Sequence, residues 1–74
     1  MPKKPVHTVK HGDGWANRRE ESQRVSSTHR TQAEAIKAGR ETAKSDKTEH
    51  LIHGENGQIR ERNSYGNDPF PPRG

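Results

Sequence analysis

Thr31-Gln32-Ala33-Glu34, running on into Ala35, Ile36, Gly39 and Ala43, narrows the fold of this chain more than any other stretch. A threonine three residues ahead of a glutamate is a capping box. The hydroxyl accepts from the Glu34 N–H, and the Glu34 side chain reaches back to the Thr31 N–H. Ala35, Ile36, Gly39 and Ala43 recur at helical spacing. Glu34, Lys37, Arg40, Glu41 and Lys44 fill the outer face, with Lys37 and Glu41 four residues apart. Glycine inside a helix costs about 1 kcal/mol against alanine. The stripe Ala35, Gly39, Ala43 offsets that cost by letting the helix lie close on a sheet. The helix is expected to fray at Ser45 to Lys47, where Asp46 and Lys47 offer no strong cap.

Strand-like runs lie on both sides of this helix. Val6 to Lys10 is the first, and Val6 and Val9 cannot share a face under strict alternation, which predicts a bulge or an edge position. His11-Gly12-Asp13-Gly14 follows as a turn with two glycines able to take positive φ. Trp15 to Glu20 returns, with Trp15, Asn17 and Arg19 on one face and Ala16 and Arg18 on the other. Arg24 to Arg30 is a third strand with a weakly apolar face at Val25, Ser27 and His29. Beyond the helix, Glu49 to His53 and Gln58 to Asn63 flank Gly54-Glu55-Asn56-Gly57, whose Asn-Gly pair suits a hairpin turn. The order β-β-β-α-β-β predicts an α+β fold, a small antiparallel sheet with one helix on one face. Residues 1–5 form a basic arm, 6–63 the domain, and 64–74 an aromatic and proline tail folding back on it.

The core available to this fold is thin. Only 22% of the 74 residues are hydrophobic, and the candidates are Val6, Val9, Trp15, Val25, Ala35, Ile36, Ala43, Leu51, Ile52 and Ile59, with Tyr65 and Phe70 as lids. There is no cysteine, which excludes a disulfide staple and cysteine-based zinc sites and fits a reducing compartment. No apolar run marks a signal peptide or a membrane span, so a soluble cytoplasmic protein is expected.

Gly14-Trp15-Ala16, Thr31 to Ala35 and Ala43 carry a likeness, as do His53-Gly54, Gly57, Ile59-Arg60 and Arg62. The run Ser64-Tyr65-Gly66 with Asp68-Pro69-Phe70-Pro71-Pro72 completes it. Together they resemble domain-of-unknown-function family 2188, a family of short bacterial proteins. The resemblance implies one compact α+β unit in a bacterial cytoplasm and supplies no activity or catalytic residue. Asn17 departs from the family, which has an apolar residue such as valine after Gly-Trp-Ala. That departure weakens the face shared with Trp15.

Five histidines raise the question of a metal. His7 and His11 share a strand face but lie about 13 Å apart, and His50 and His53 face opposite sides. Neither pair makes a ligand set, and no metal or other cofactor is expected. His53, beside Gly54, reads as a structural residue bonding across the turn. No nucleophile elbow or phosphate-cradling glycine loop is present, so an enzyme with a small-molecule substrate is not expected.

A formal net charge of +4 permits a nucleic-acid partner. Arg60 and Arg62 alternate on one strand face, Arg18 lies on a neighbouring strand, and Lys3, Lys4 and Lys10 add charge at the N-terminal end. This predicts a basic sheet face that meets phosphates weakly and with little sequence preference. The alternative is a protein–protein module or homodimer that uses a sheet edge, or the tail presenting Phe70.

Overall fold

The structure is a computed structural model that describes residues 4–66. Its elements are β1 (Val6–His11), β2 (Gly14–Arg19), β3 (Val25–His29), α1 (Gln32–Asp46), β4 (Glu49–His53) and β5 (Ile59–Ser64). The predicted order and the α+β class hold. The sheet runs β3-β2-β1-β4-β5, and the helix packs across β1, β2, β3 and β4.

The sheet is not wholly antiparallel. β1 pairs in parallel with β4, joining the two hairpins through its centre. The helix causes this: it carries the chain from the end of β3 back to the end at which β1 began, so β4 sets out in the same direction. The C-terminal ends of β1 and β4 and the start of α1 therefore meet at one end of the molecule.

The Thr31 hydroxyl accepts from the Glu34 N–H at 3.2 Å, as the capping box predicts. The C-terminus differs from expectation. Lys47 adopts a left-handed conformation with φ 55° and ψ 54°. Its N–H donates to the Ala43 and Lys44 carbonyls, and Thr48 N–H donates to Ala43 at 3.0 Å. That closure satisfies the last carbonyls without a glycine, so the helix stops sharply instead of fraying.

β1 carries no bulge. It pairs with β2 over all six residues and lies at the centre of the sheet. Val6 is buried on the helix side and Val9 half-buried on the other, so neither needs a bulge. The irregularities fall elsewhere, at Asn17/Arg18 against β3 and at Ile52/His53 against β5. Gly12, at φ 59°, takes the turn, whereas Gly14 is already in β2.

Val6, Trp15, Ala16, Ala35, Ala43, Leu51 and Ile52 form the core. Val25 and Ile59 do not join it: they are 37% and 51% exposed, because β3 and β5 are edge strands. The interior instead takes in Thr8, Asn17, Thr48 and His50. A Cβ on Gly39 would meet Asn17, His50 and Thr8. Those three side chains therefore point at the helix, and Leu51, between His50 and Ile52, points to the opposite side.

Candidate nucleic-acid interface

The predicted basic face does not assemble on one side of the sheet. Arg62 stands opposite Leu51 in register and so lies on the side away from the helix. Arg60 falls at the irregularity between β4 and β5, and its guanidinium donates to Gln32 Oε1, in the first turn of α1, at 3.2 Å. The bulge breaks the alternation that would have aligned the two arginines. Arg18 shares the far side with Arg62 but sits on β2, three strand spacings away, roughly 14 Å. Its guanidinium donates to the Ser22 carbonyl at 3.1 Å. Lys4 is paired with Glu21 at 3.0 Å. Lys3 and Phe70 lie outside the described residues.

A different set of cations converges. Lys10 is opposite Trp15 in register, with its Nζ 5.6 Å from the ring centre. Beside it a shallow hollow is lined by His11, Asp13, Trp15, Thr28, His29 and Arg30. Arg60 reaches the same end through Gln32, whose amide also donates to the His53 carbonyl at 3.1 Å. Lys10, Arg30 and Arg60 thus lie at the same end of the sheet, on its central strand and at its two edges. Asp13 lines the same hollow as Arg30. Neither Arg30 nor the hollow beside Trp15 is marked by a local sequence signal. The antiparallel β1–β2 and β2–β3 pairings assemble the hollow, and the parallel β1–β4 pairing brings Arg60 to the same end.

Tyr65 is half-buried beside the last turn of α1. Its N–H donates to the Thr48 carbonyl at 3.2 Å, and its ring lies 6.0 Å from Lys44 Nζ. It caps the helix side of the sheet and does not cover the far side, as a lid over a half-open sheet would.

Beneath the helix runs a row of hydrogen bonds across four strands. The Thr8 hydroxyl donates to Asn17 Oδ1 and lies 2.7 Å from His50 Nε2. Because that single hydroxyl proton is used on Asn17, His50 must donate from Nε2. Asn17 Nδ2 donates to the Ala35 carbonyl at 2.9 Å and to Ser27 Oγ at 3.4 Å, and Ser27 meets His29 Nε2 at 2.8 Å. Asn17 is only 3% exposed. The expectation that it weakens its face is overturned, since every polar atom of its amide is used. Burial lowers the pKa of His50, with the positive charge of Arg40 adding to the effect, so the ring is neutral. Its Nδ1 is buried without a partner.

His7 and His53 meet on the far side of the sheet, ring nitrogen to ring nitrogen, at 2.8 Å. His53 Nδ1 also bonds the Gly57 carbonyl at 3.1 Å, the cross-turn bond predicted for it. His50 and His53 face opposite sides, as their spacing requires. Among the described residues no group of three or more His, Cys, Asp or Glu could hold a metal ion. No helix among them is long and apolar enough to cross a membrane.

No solved structure matches the chain. An uncharacterized protein of Bacillus subtilis (strain 168), YdaT, is 35% identical over 63 residues, 85% of this chain. The chain spans 42% of that relative's length. Residues 6–65, from the first residue of β1 to Tyr65, match the family described as uncharacterized protein conserved in bacteria, DUF2188, and the chain belongs to that family.

Proposed function

We propose that this is a small, non-enzymatic accessory protein of the bacterial cytoplasm that binds nucleic acid weakly, through the end of its sheet. The observation that carries the reading is the placement of Lys10, Arg30 and Arg60 at the same end of the sheet, beside the start of α1. Three cations on separate elements, held by Trp15, the β3 end and Gln32, suit phosphates of one backbone. The positive end of the helix dipole adds to them. Trp15 is buried, so base stacking contributes little and sequence preference is weak.

Fluorescence anisotropy with short labelled single- and double-stranded oligonucleotides tests this. Three phosphate contacts on a duplex give a log–log salt slope near −2.7, a loss of roughly forty-fold between about 50 and 200 mM salt. The triple substitution K10A/R30A/R60A should abolish most of the binding, whereas R18A/R62A should leave it nearly unchanged. No binding at the lower salt sinks the proposal.

Self-association along β5 is the second reading, motivated by the exposed Ile59 on an edge strand. The charges of that edge oppose it. Antiparallel pairing of two β5 strands centred on Glu61 sets Glu61 against its copy and Arg60 against Arg62. Centring on either arginine sets that arginine against its own copy. Like charges directly opposite destabilise such pairs. Sedimentation over a concentration range separates the readings, since a strict monomer removes this one.

A further inference from the structure

The His7–His53 contact fixes a proton count. The Gly57 carbonyl can only accept, so His53 Nδ1 carries a proton. The two ring centroids are 5.1 Å apart, as far as a 2.8 Å contact between nitrogens allows once the ring radii are added. His7 Nδ1 and His53 Nε2 therefore point straight at each other, and a proton must lie between them. On its other side, His7 Nε2 is 3.0 Å from Glu20 Oε1. Each of these three links takes one proton, whereas two neutral imidazoles bring two. A carboxylate is the weaker base, so the third proton belongs on His7. The His7 side chain is only 13% exposed, so the resulting ion pair with Glu20 is shielded on the imidazole side.

We infer that Glu20, His7 and His53 form a one-proton clasp that ties the residue after β2 to the β4–β5 turn and lets go when that proton is lost. Without it, two ring protons serve three links, so one of them, at Glu20, between the rings or at Gly57, is left bare and the continuous tie is broken. The other charges facing the clasp are distributed on both sides of neutrality. Arg18, opposite His7 on β2, and Arg62, across Leu51 on β5, disfavour a charged ring. Glu49 on β4 and Glu55 in the turn favour it, while Lys4 is engaged with Glu21. His50, from the helix side, is neutral.

The sign of the pH dependence follows from counting. In the unfolded chain His7 and His53 hold two protons well below pH ~6.5 and none well above it. The folded clasp holds one. Its contribution to stability therefore rises with pH on the acid side, peaks near pH ~6.5 and falls on the alkaline side.

Glu20→Gln is the test. The glutamine amide can donate to His7 Nε2, so all three contacts persist with two ring protons. Between about pH 7 and 8.5, the unfolding constant of the full chain should rise by up to tenfold per pH unit, and that of E20Q should stay flat. Equal slopes in the two proteins overturn the clasp. Histidine ring 15N spectra of the unmodified chain give a reading that does not depend on the variant folding. Both His7 nitrogens should be protonated near pH 6.5, and a single His7 ring proton in the folded protein overturns it equally.

Discussion

Gly39→Ala is a substitution for which helix propensity and packing disagree, and packing should win. In an isolated helix, alanine would gain about 1 kcal/mol. Here the new Cβ would stand 2.6 Å from Asn17 Oδ1, 2.6 Å from His50 Nε2 and 2.9 Å from Thr8 Oγ1. None of these atoms is the free end of a long side chain, because each is bonded to another member of the same row. Forcing a carbon into such a space costs about 1–3 kcal/mol. Displacing one member leaves a buried polar atom unpaired, for about 1–3 kcal/mol more. Subtracting the propensity gain leaves a net loss of about 1–5 kcal/mol. In a domain of this size each 1 kcal/mol moves the melting temperature by about 4–8 °C, so a fall of at least about 4 °C is expected. Urea unfolding followed by circular dichroism measures it. Ala33→Gly, on the exposed side of the same helix, isolates the propensity term and should cost about 1 kcal/mol. A G39A chain that unfolds at higher urea than the parent would refute the close-approach reasoning.

Asn17→Val restores the apolar residue that the family resemblance leads one to expect, and should still destabilise by about 1–3 kcal/mol, because the Ala35 carbonyl and the Thr8 hydroxyl each lose a partner; a more stable N17V in urea unfolding would show the row to be dispensable. Lys47→Gly should stabilise by about 0.5–1 kcal/mol, since a left-handed residue with φ 55° favours glycine, and an unchanged unfolding midpoint would count against strain at the cap. His50 makes stability depend on pH. Its folded pKa is lowered by burial, so the unfolded chain binds the extra proton, and stability is full above about pH 6.5 and lost as pH falls further. His50→Gln should reduce this acid-side loss in thermal melts between about pH 7 and 5, and an unchanged loss would contradict a buried neutral His50.

The elements legible in the sequence are those set by local chemistry. The Thr31 cap, the Asn56-Gly57 turn and the alternation of Trp15, Asn17 and Arg19 against Ala16 and Arg18 depend on neighbours within a few residues. The parallel β1–β4 pairing does not. It depends on where a 15-residue helix sets the chain down, so the arrival of Arg60 at the end that holds Lys10 and Arg30 had no linear trace. The same limit explains Arg60 and Arg62. Alternation predicts a shared face, but a bulge opposite His53 is chosen by the turn geometry and the His53 bonds. Val25 and Ile59 look like core because they are apolar. Only strand order shows them to be at the edges. Lys47 was legible in principle as the residue before Thr48 at the helix end, but lysine carries no preference for the left-handed conformation it adopts.

A sheet with so few apolar residues has another difficulty, that of register. One-residue slips are normally penalised because they turn a hydrophobic face to water. In β1 that penalty is weak, since Val6 and Val9 lie on opposite sides and a slip exchanges one valine for the other. The row from His50 through Thr8 and Asn17 to Ser27 and His29 removes the ambiguity. Its members come from β4, β1, β2 and β3, so any slip leaves several buried polar atoms without partners at once, each costing about 1–3 kcal/mol. Gly39 and the small stripe of α1 keep the helix low enough to seal Thr8, Asn17 and His50 from water. The polar residues here specify the alignment that the thin core cannot. Hydrogen exchange distinguishes this role from simple stabilisation. In N17V, the amides of β1 and β2 should lose protection by more than the global loss of stability accounts for, because alternative registers become accessible. A uniform loss matching the global change would mean that the row adds stability and does not set register.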